Sequence, residues 1–310
     1  MKKFIKNTLI YMFVILLGLL SVEFALFSHD NEYSYKNNYL LGNAEKIQTI
    51  FLGHSYFETG INPSFIGDSC FNAAISGRGG AYENSCDVQL AERYIPQMKN
   101  LKYVILPLSF HHIYYDSRMD SIHFNLTPTT LTTYRCMNYK YLGIKKDWRD
   151  IFYWPELCNS VFDYWGRFTK TNEQNRLCDS LGYVKFELKD RKDGWDTLKL
   201  PKFEYHNRSE TSSIIKGIKQ IYTLCEKHGV KLIVITSPTY KTYNNKIPES
   251  YLKDFNYVVR SIKQNKNLQY YNFYCDPRFG DNDFKDAGHL NYLGAKKFSG
   301  IVGQLLAAKN

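Results

Sequence analysis

The chain has 310 residues, 44% of them hydrophobic and 23% charged, which is enough apolar material for a full core and excludes an intrinsically disordered protein. Its formal net charge of +10 points to anionic partners, but the lysines are spread along the chain and no nucleic-acid-binding motif is present. Anionic lipid headgroups or an acidic glycan suit such a charge better, as an influence on encounter more than on chemistry.

Lys2, Lys3 and Lys6 precede an apolar run from Thr8 to Val22, which resumes after Glu23 as Phe24 to Phe27. With Glu23 near the interface, the combined run reaches the length of a membrane-spanning helix. A cleaved signal peptide is the competing reading; no small-x-small cleavage site follows, so an uncleaved anchor over residues 1–28 is expected. The leading lysines place the N-terminus in the cytoplasm and the rest of the chain outside the cell membrane. Residues 29–44, polar and rich in Asn and Tyr, read as a linker with little to bury, ahead of a domain over 45–310.

Within that domain, Ile47 to Leu52 has the β-branched and aromatic make-up of a buried strand, and Gly53 ends it where the chain must turn. Phe71 to Ile75 is expected as a second strand, Ala81 to Met98 as a helix, and Leu101 to Leu108 as a third strand. Alternation then resumes with a helix over Ser209 to His228 stopped at Gly229, and a strand over Val230 to Thr236. A helix over Pro248 to Gln264, a strand over Leu268 to Tyr274 and a helix over Tyr292 to Ala308 complete the pattern. Such alternation predicts an α/β class fold, a parallel sheet covered on both faces.

Two stretches carry the chemistry. Ser55, in Gly53-His54-Ser55, stands at the carboxyl end of the first strand, the edge where open α/β sheets bind ligands. Asp286-Ala287-Gly288-His289-Leu290-Asn291 precedes the last helix, and its spacing lets a carboxylate reach one imidazole nitrogen while the other stays free for a serine hydroxyl. Together with Asn72-Ala73-Ala74-Ile75-Ser76-Gly77, these blocks resemble the SGNH/GDSL hydrolase superfamily over roughly residues 48–310. The stretch Gly60-Ile61-Asn62-Pro63 is similar to the membrane-anchored branch that includes the D-alanyl transfer protein of teichoic acid synthesis and the alginate O-acetylation proteins. The resemblance implies a three-layer α/β/α fold with a flavodoxin-like parallel sheet.

It also implies Ser55 as nucleophile, His289 as base, Asp286 as its orienter, and the Ser55 and Gly77 amides as oxyanion donors. The chain departs from the pattern twice: Gly-Asp-Ser reads Gly-His-Ser, and the Gly-x-Asn-Asp block is replaced by Leu108-Ser109-Phe110-His111-His112. Ser109 or His111 is therefore the candidate for the missing donor. His54 either contacts substrate, or replaces the family's aspartate in bracing the loop, or is simply a packed, hydrogen-bonded histidine. Arg78 either holds an anionic group of the substrate or is solvated. His111 and His112, with His123 beyond, invite a metal reading, but no carboxylate completes a set.

Residues 110–205 lack a clear period yet are dense in aromatics, including Trp148, Trp154, Trp165 and Trp195. This insertion leaves the sheet at the catalytic edge, where it forms either a glycan-stacking wall or its own small core. The seven cysteines are odd in number and irregularly spaced; Cys70 and Cys86 are near enough to pair in an oxidising compartment, against the preference of lone cysteines for burial.

The expected activity is an extracytoplasmic serine acyltransferase or esterase acting on an acyl group, first an acetyl, of a cell-surface polysaccharide, with no cofactor. The resemblance implies an acyl donor and a membrane-bound O-acyltransferase as partners. A non-catalytic glycan-binding or assembly protein on a degenerate scaffold is the alternative from another class.

Overall fold

The computed structural model describes residues 1–28, 32–76, 81–83, 85–110, 113, 177–187 and 211–308. The chain divides into two compact units, one of residues 1–35 and 126–177 and the other of 36–125 and 178–310. Gly77, Arg78, His111, His112, His123 and the four tryptophans lie outside the described residues, as does most of the insertion over 110–205.

In the first unit, α1 (Lys2–Ser28) has 27 residues, about 40 Å at the rise of an α-helix and more than the ~30 Å of a bilayer's hydrocarbon core. Its Lys2–Ser21 part is long and apolar enough to cross a membrane. Thr8 donates to the Phe4 carbonyl at 3.0 Å and Ser21 to the Leu17 carbonyl at 2.8 Å, so both hydroxyls are satisfied within the helix itself.

The helix α2 (Glu32–Asn43) covers most of the stretch expected to have little to bury. From Lys36 onward it belongs to the second unit, where Lys36 and Leu40 are buried and Tyr39 stacks on Phe71 with centroids 4.1 Å apart. Lys36 Nζ donates to the Ala74 carbonyl at 2.5 Å, and the Tyr94 hydroxyl donates to Asn37. Its buried positions are spaced by one helical turn, but only Leu40 is aliphatic, so the pattern is faint in a hydropathy reading.

The sheet of the second unit is formed by β1 (Thr49–Phe51), β2 (Cys70–Asn72), β3 (Tyr103–Pro107), β4 (Lys231–Thr236) and β5 (Leu268–Asn272). These five strands run parallel in the order β2-β1-β3-β4-β5. The central strand β3 and its neighbour β4 are buried almost throughout, which requires the near-continuous apolar runs the sequence shows. Phe51 pairs with Ile105 and Asn72, and Ile105 with Ile233, so the strand ends are in step along one edge.

Around the sheet stand α3 (Ser55–Glu58), α4 (Cys86–Tyr94), α5 (Thr211–Lys227), α6 (Lys241–Asn244), α7 (Glu249–Ile262) and α8 (Tyr292–Ala307). Helix α5 packs between α4 and α7, while α8 packs against the turn Pro63–Phe65 that follows α3. With right-handed crossovers, this division puts α4, α5 and α7 on one face and α3 and α8 on the opposite one, the doubly wound three-layer arrangement. The order in which strands are added reverses between β1 and β3, the switch point where such sheets open a ligand crevice.

The expected helix over Ala81 to Met98 is shorter. Ser85 caps α4 by accepting from the Val88 N–H at 3.4 Å, and the helix tightens into a 3-10 turn over Ile95–Gln97 that carries Pro96 near its start. Gly229 ends α5 at φ +70°, with the Val230 N–H returning to the Cys225 carbonyl at 2.8 Å. Cys70 and Cys86 form no disulfide with each other, and burial pushes the Cys70 thiol up to about 11.

Candidate active site

Gly53 carries the chain off β1 at φ +111°, and a Cβ there would lie 2.3 Å from Pro107 Cγ, so close approach to β3 requires glycine. The Asp87 carboxylate, buried in the first turn of α4, accepts the Gly53 N–H at 3.1 Å. Ser55 then opens α3, where the first N–H groups have no partner inside the helix. His54 is only 2% exposed and caps α3, its Nδ1 accepting from the Tyr56 N–H at 3.4 Å. His54 is thus packed and hydrogen-bonded at the start of α3.

Two further ties fix α3. Asn72, fully buried at the end of β2, donates to the Phe57 and Ile61 carbonyls, each at 2.7 Å, and accepts from the Ala74 N–H at 3.1 Å. Glu58, also buried, accepts from the Ser76 N–H at 2.9 Å and from the Ser76 hydroxyl. The block Asn72–Ser76 is thereby hung from the short helix that Ser55 begins.

The loop carrying Asp286 and His289 is closed at its neck. Phe284 and Leu290 form an antiparallel bridge, the Lys285 N–H donates to the His289 carbonyl at 2.9 Å, and the Asn291 N–H donates to the Asp283 carbonyl at 3.0 Å. Asn291, fully buried, donates to the Asn282 carbonyl at 2.8 Å and caps α8 by accepting from the Leu293 N–H at 2.9 Å. From the β4 side, the Tyr240 N–H holds the Ala287 carbonyl at 2.9 Å. Gly288 lies against Tyr56, where an added Cβ would stand 2.8 Å from the phenol oxygen. Burial pushes the Tyr56 hydroxyl well above its ordinary pKa, and Tyr243 and the Asp286 charge act in the same direction.

These supports bring together groups 234 positions apart: Ser55 Oγ lies 2.9 Å from His289 Nε2. On the other side of the ring, His289 Nδ1 lies 2.9 Å and 3.0 Å from the two Asp286 oxygens. Asp286 Oδ1 also accepts the Gly288 N–H at 2.9 Å and the His289 N–H at 2.8 Å. Partial burial pushes the Asp286 carboxyl up, but its bond to His289, the imidazole charge and the two backbone N–H groups together hold it below the ordinary 3.8. The His289 side chain keeps 27% of its surface exposed and Asp286 41%, so solvent reaches the relay. Tyr56 meets the His289 ring edge-on, centroids 5.0 Å apart, and fixes its plane.

Ser109, buried just beyond β3, leaves the sheet beside the strand that delivers Ser55. The braces Asp87, Glu58 and Tyr56 were not singled out from sequence, since each acts through a contact that no local pattern encodes. The same holds for Phe186, whose ring meets His289 edge-on at 6.2 Å from the returning segment 178–187. For Glu58 a faint signal exists: an acid one helical turn after Ser55, inside a largely apolar stretch.

No family model and no curated protein matches the sequence. Among solved structures, the chain is similar to a protein from Streptococcus pneumonia described as a candidate platelet activating factor, with TM-score 0.43 and 9% identity over 94% of this chain and 99% of the other. It is also similar to a candidate acylhydrolase from Bacteroides fragilis, with TM-score 0.42 and 12% identity over 87% of this chain and 95% of the other.

Proposed function

We propose that Ser55, His289 and Asp286 act as nucleophile, base and orienting acid in acyl transfer from an ester or thioester. The observation that supports this reading is the relay itself: 2.9 Å from Ser55 Oγ to His289 Nε2 and 2.9 Å from His289 Nδ1 to Asp286 Oδ1. A serine that merely opened a helix has no reason to meet a histidine held by an independent loop. In the first step Ser55 Oγ bonds to the acyl carbon, its proton moves to His289 Nε2, and the carbonyl electrons shift onto oxygen. Collapse breaks the bond to the leaving group, which takes that proton from His289. Water or a sugar hydroxyl then attacks the acyl-serine by the same route in reverse. The Ser55 and Gly77 N–H groups serve as oxyanion donors, with Ser109 or His111 the candidate for a third.

The acyl group is acetyl and the acceptor a cell-surface polysaccharide, with the domain anchored outside the cell membrane through α1. That part draws on the apolar α1, the net charge of +10 and the sequence resemblance. By the same resemblance, a membrane-bound O-acyltransferase works in concert with this chain. A fluorophosphonate probe tests the chemistry: wild-type protein should label covalently and Ser55→Ala should not. Equal labelling of both would remove Ser55 as nucleophile, and absence of labelling and of ester turnover in wild type would favour a glycan-binding scaffold.

A further inference from the structure

Lys285 immediately precedes Asp286 in the closed loop, and its own N–H donates to the His289 carbonyl at 2.9 Å, so its backbone is fixed relative to the imidazole. Its ammonium stands 3.3 Å from the ring centroid of Phe186, whose ring in turn lies edge-on to His289. Phe186 is no loose neighbour. The Tyr292 N–H donates to its carbonyl at 2.9 Å, and two residues earlier the Val184 N–H donates to the Glu58 carbonyl at 3.1 Å. A cation is therefore held on an aromatic wall beside the Ser55–His289 pair, tied from α3 on one side and α8 on the other.

The nearby carboxylates are already engaged. Asp286 is taken by His289, Glu58 by Ser76, and Glu187 by Lys185 at 2.6 Å. Lys285 has no ion pair among the described residues. An ammonium laid on an aromatic face gives up part of its hydration and keeps hydrogens for an incoming acceptor. One such cation, without a cluster of further donors, matches a singly charged carboxylate better than a phosphate.

We infer that Lys285 is a specificity-determining residue that selects esters bearing a carboxylate, a role that rests on Ser55 being the nucleophile. Two matched pairs read it with the purified full chain: meta-acetoxybenzoate against meta-acetoxybenzamide, with the charge on the alcohol side, and para-nitrophenyl hemisuccinate against para-nitrophenyl butyrate, with the charge on the acyl side. In one pair, the anionic-to-neutral ratio of kcat/KM should fall about 5- to 10-fold in Lys285→Gln, fall further in Lys285→Glu and be restored by Lys285→Arg. The pair that responds identifies the side of the ester the cation faces. A lysine that only covered Phe186 would alter both members of a pair alike. In wild type the ratio should also decline with added potassium chloride, which reads the charge even if a variant fails to fold. Ratios that ignore both salt and substitution in both pairs would overturn the role of Lys285, whereas undiminished turnover in Ser55→Ala would overturn the underlying nucleophile.

Discussion

Asp286 shows how one carboxylate performs two tasks. Its Oδ1 gathers the Gly288 and His289 N–H groups, which shapes the loop, while both oxygens face His289 Nδ1. In Asp286→Asn the amide oxygen can still accept the two backbone bonds, so the loop should persist. The amide nitrogen, however, would face Nδ1 and oblige it to accept, which puts the imidazole proton on Nε2 and turns it toward Ser55. Turnover of an activated ester should fall by about 10³- to 10⁴-fold while the circular dichroism spectrum is unchanged. The pH dependence has a definite sign. A carboxyl held below its unfolded value contributes stability above that value and loses it as pH falls through the folded one. The melting-temperature advantage of wild type over Asp286→Asn should therefore be full at neutral pH and shrink below about pH 4. An advantage that grew with acid would contradict the assignment.

At the scale of elements, the short helix α3 matters more than its length suggests, because the strand exit, the block after β2 and the returning segment 178–187 all hold it. Gly53→Ala would place a Cβ against Pro107 and force a positive φ on alanine, and it should cost about 1–3 kcal/mol in denaturant unfolding. Helix α2 contributes in a different way, since Lys36 bonds the Ala74 carbonyl from a buried position. Lys36→Met should destabilise the domain by about 1–3 kcal/mol through the buried carbonyl it leaves without that donor. A fragment starting at Glu45 should melt well below one starting at Glu32, and equal melting would show that α2 contributes nothing.

The same elements show what sequence makes legible. β3 and β4 announce themselves because a strand buried on both faces must be apolar at nearly every position. Asp286 and His289 are readable because the acid and base are local to each other, with the spacing inside one loop. Lys36 hides in a polar, Asn- and Tyr-rich helix whose burial comes from long amphipathic side chains. Asp87 reads as an ordinary helix-start acid until the fold lays it beside Gly53, 34 positions away. Phe186 and Lys285 are far apart in the sequence and meet only in the fold, with nothing periodic to link them.

For the molecule as a whole, the proposed membrane anchoring and the proposed chemistry can fail separately. Protein with α1 anchored and the domain outside should stay in the membrane fraction through alkaline carbonate, and protease added to intact cells should remove the domain; release by carbonate, or full protection, would contradict that topology. The central claim is that Ser55 carries the acyl group. The most direct measurement is peptide mass spectrometry after brief incubation with an activated acetyl ester and acid quench, alongside kcat/KM of wild type and Ser55→Ala. A single acetyl adduct on Ser55, with turnover lost in Ser55→Ala, is the predicted result; turnover by Ser55→Ala equal to wild type, or an adduct on another residue that decays at the turnover rate, would contradict it.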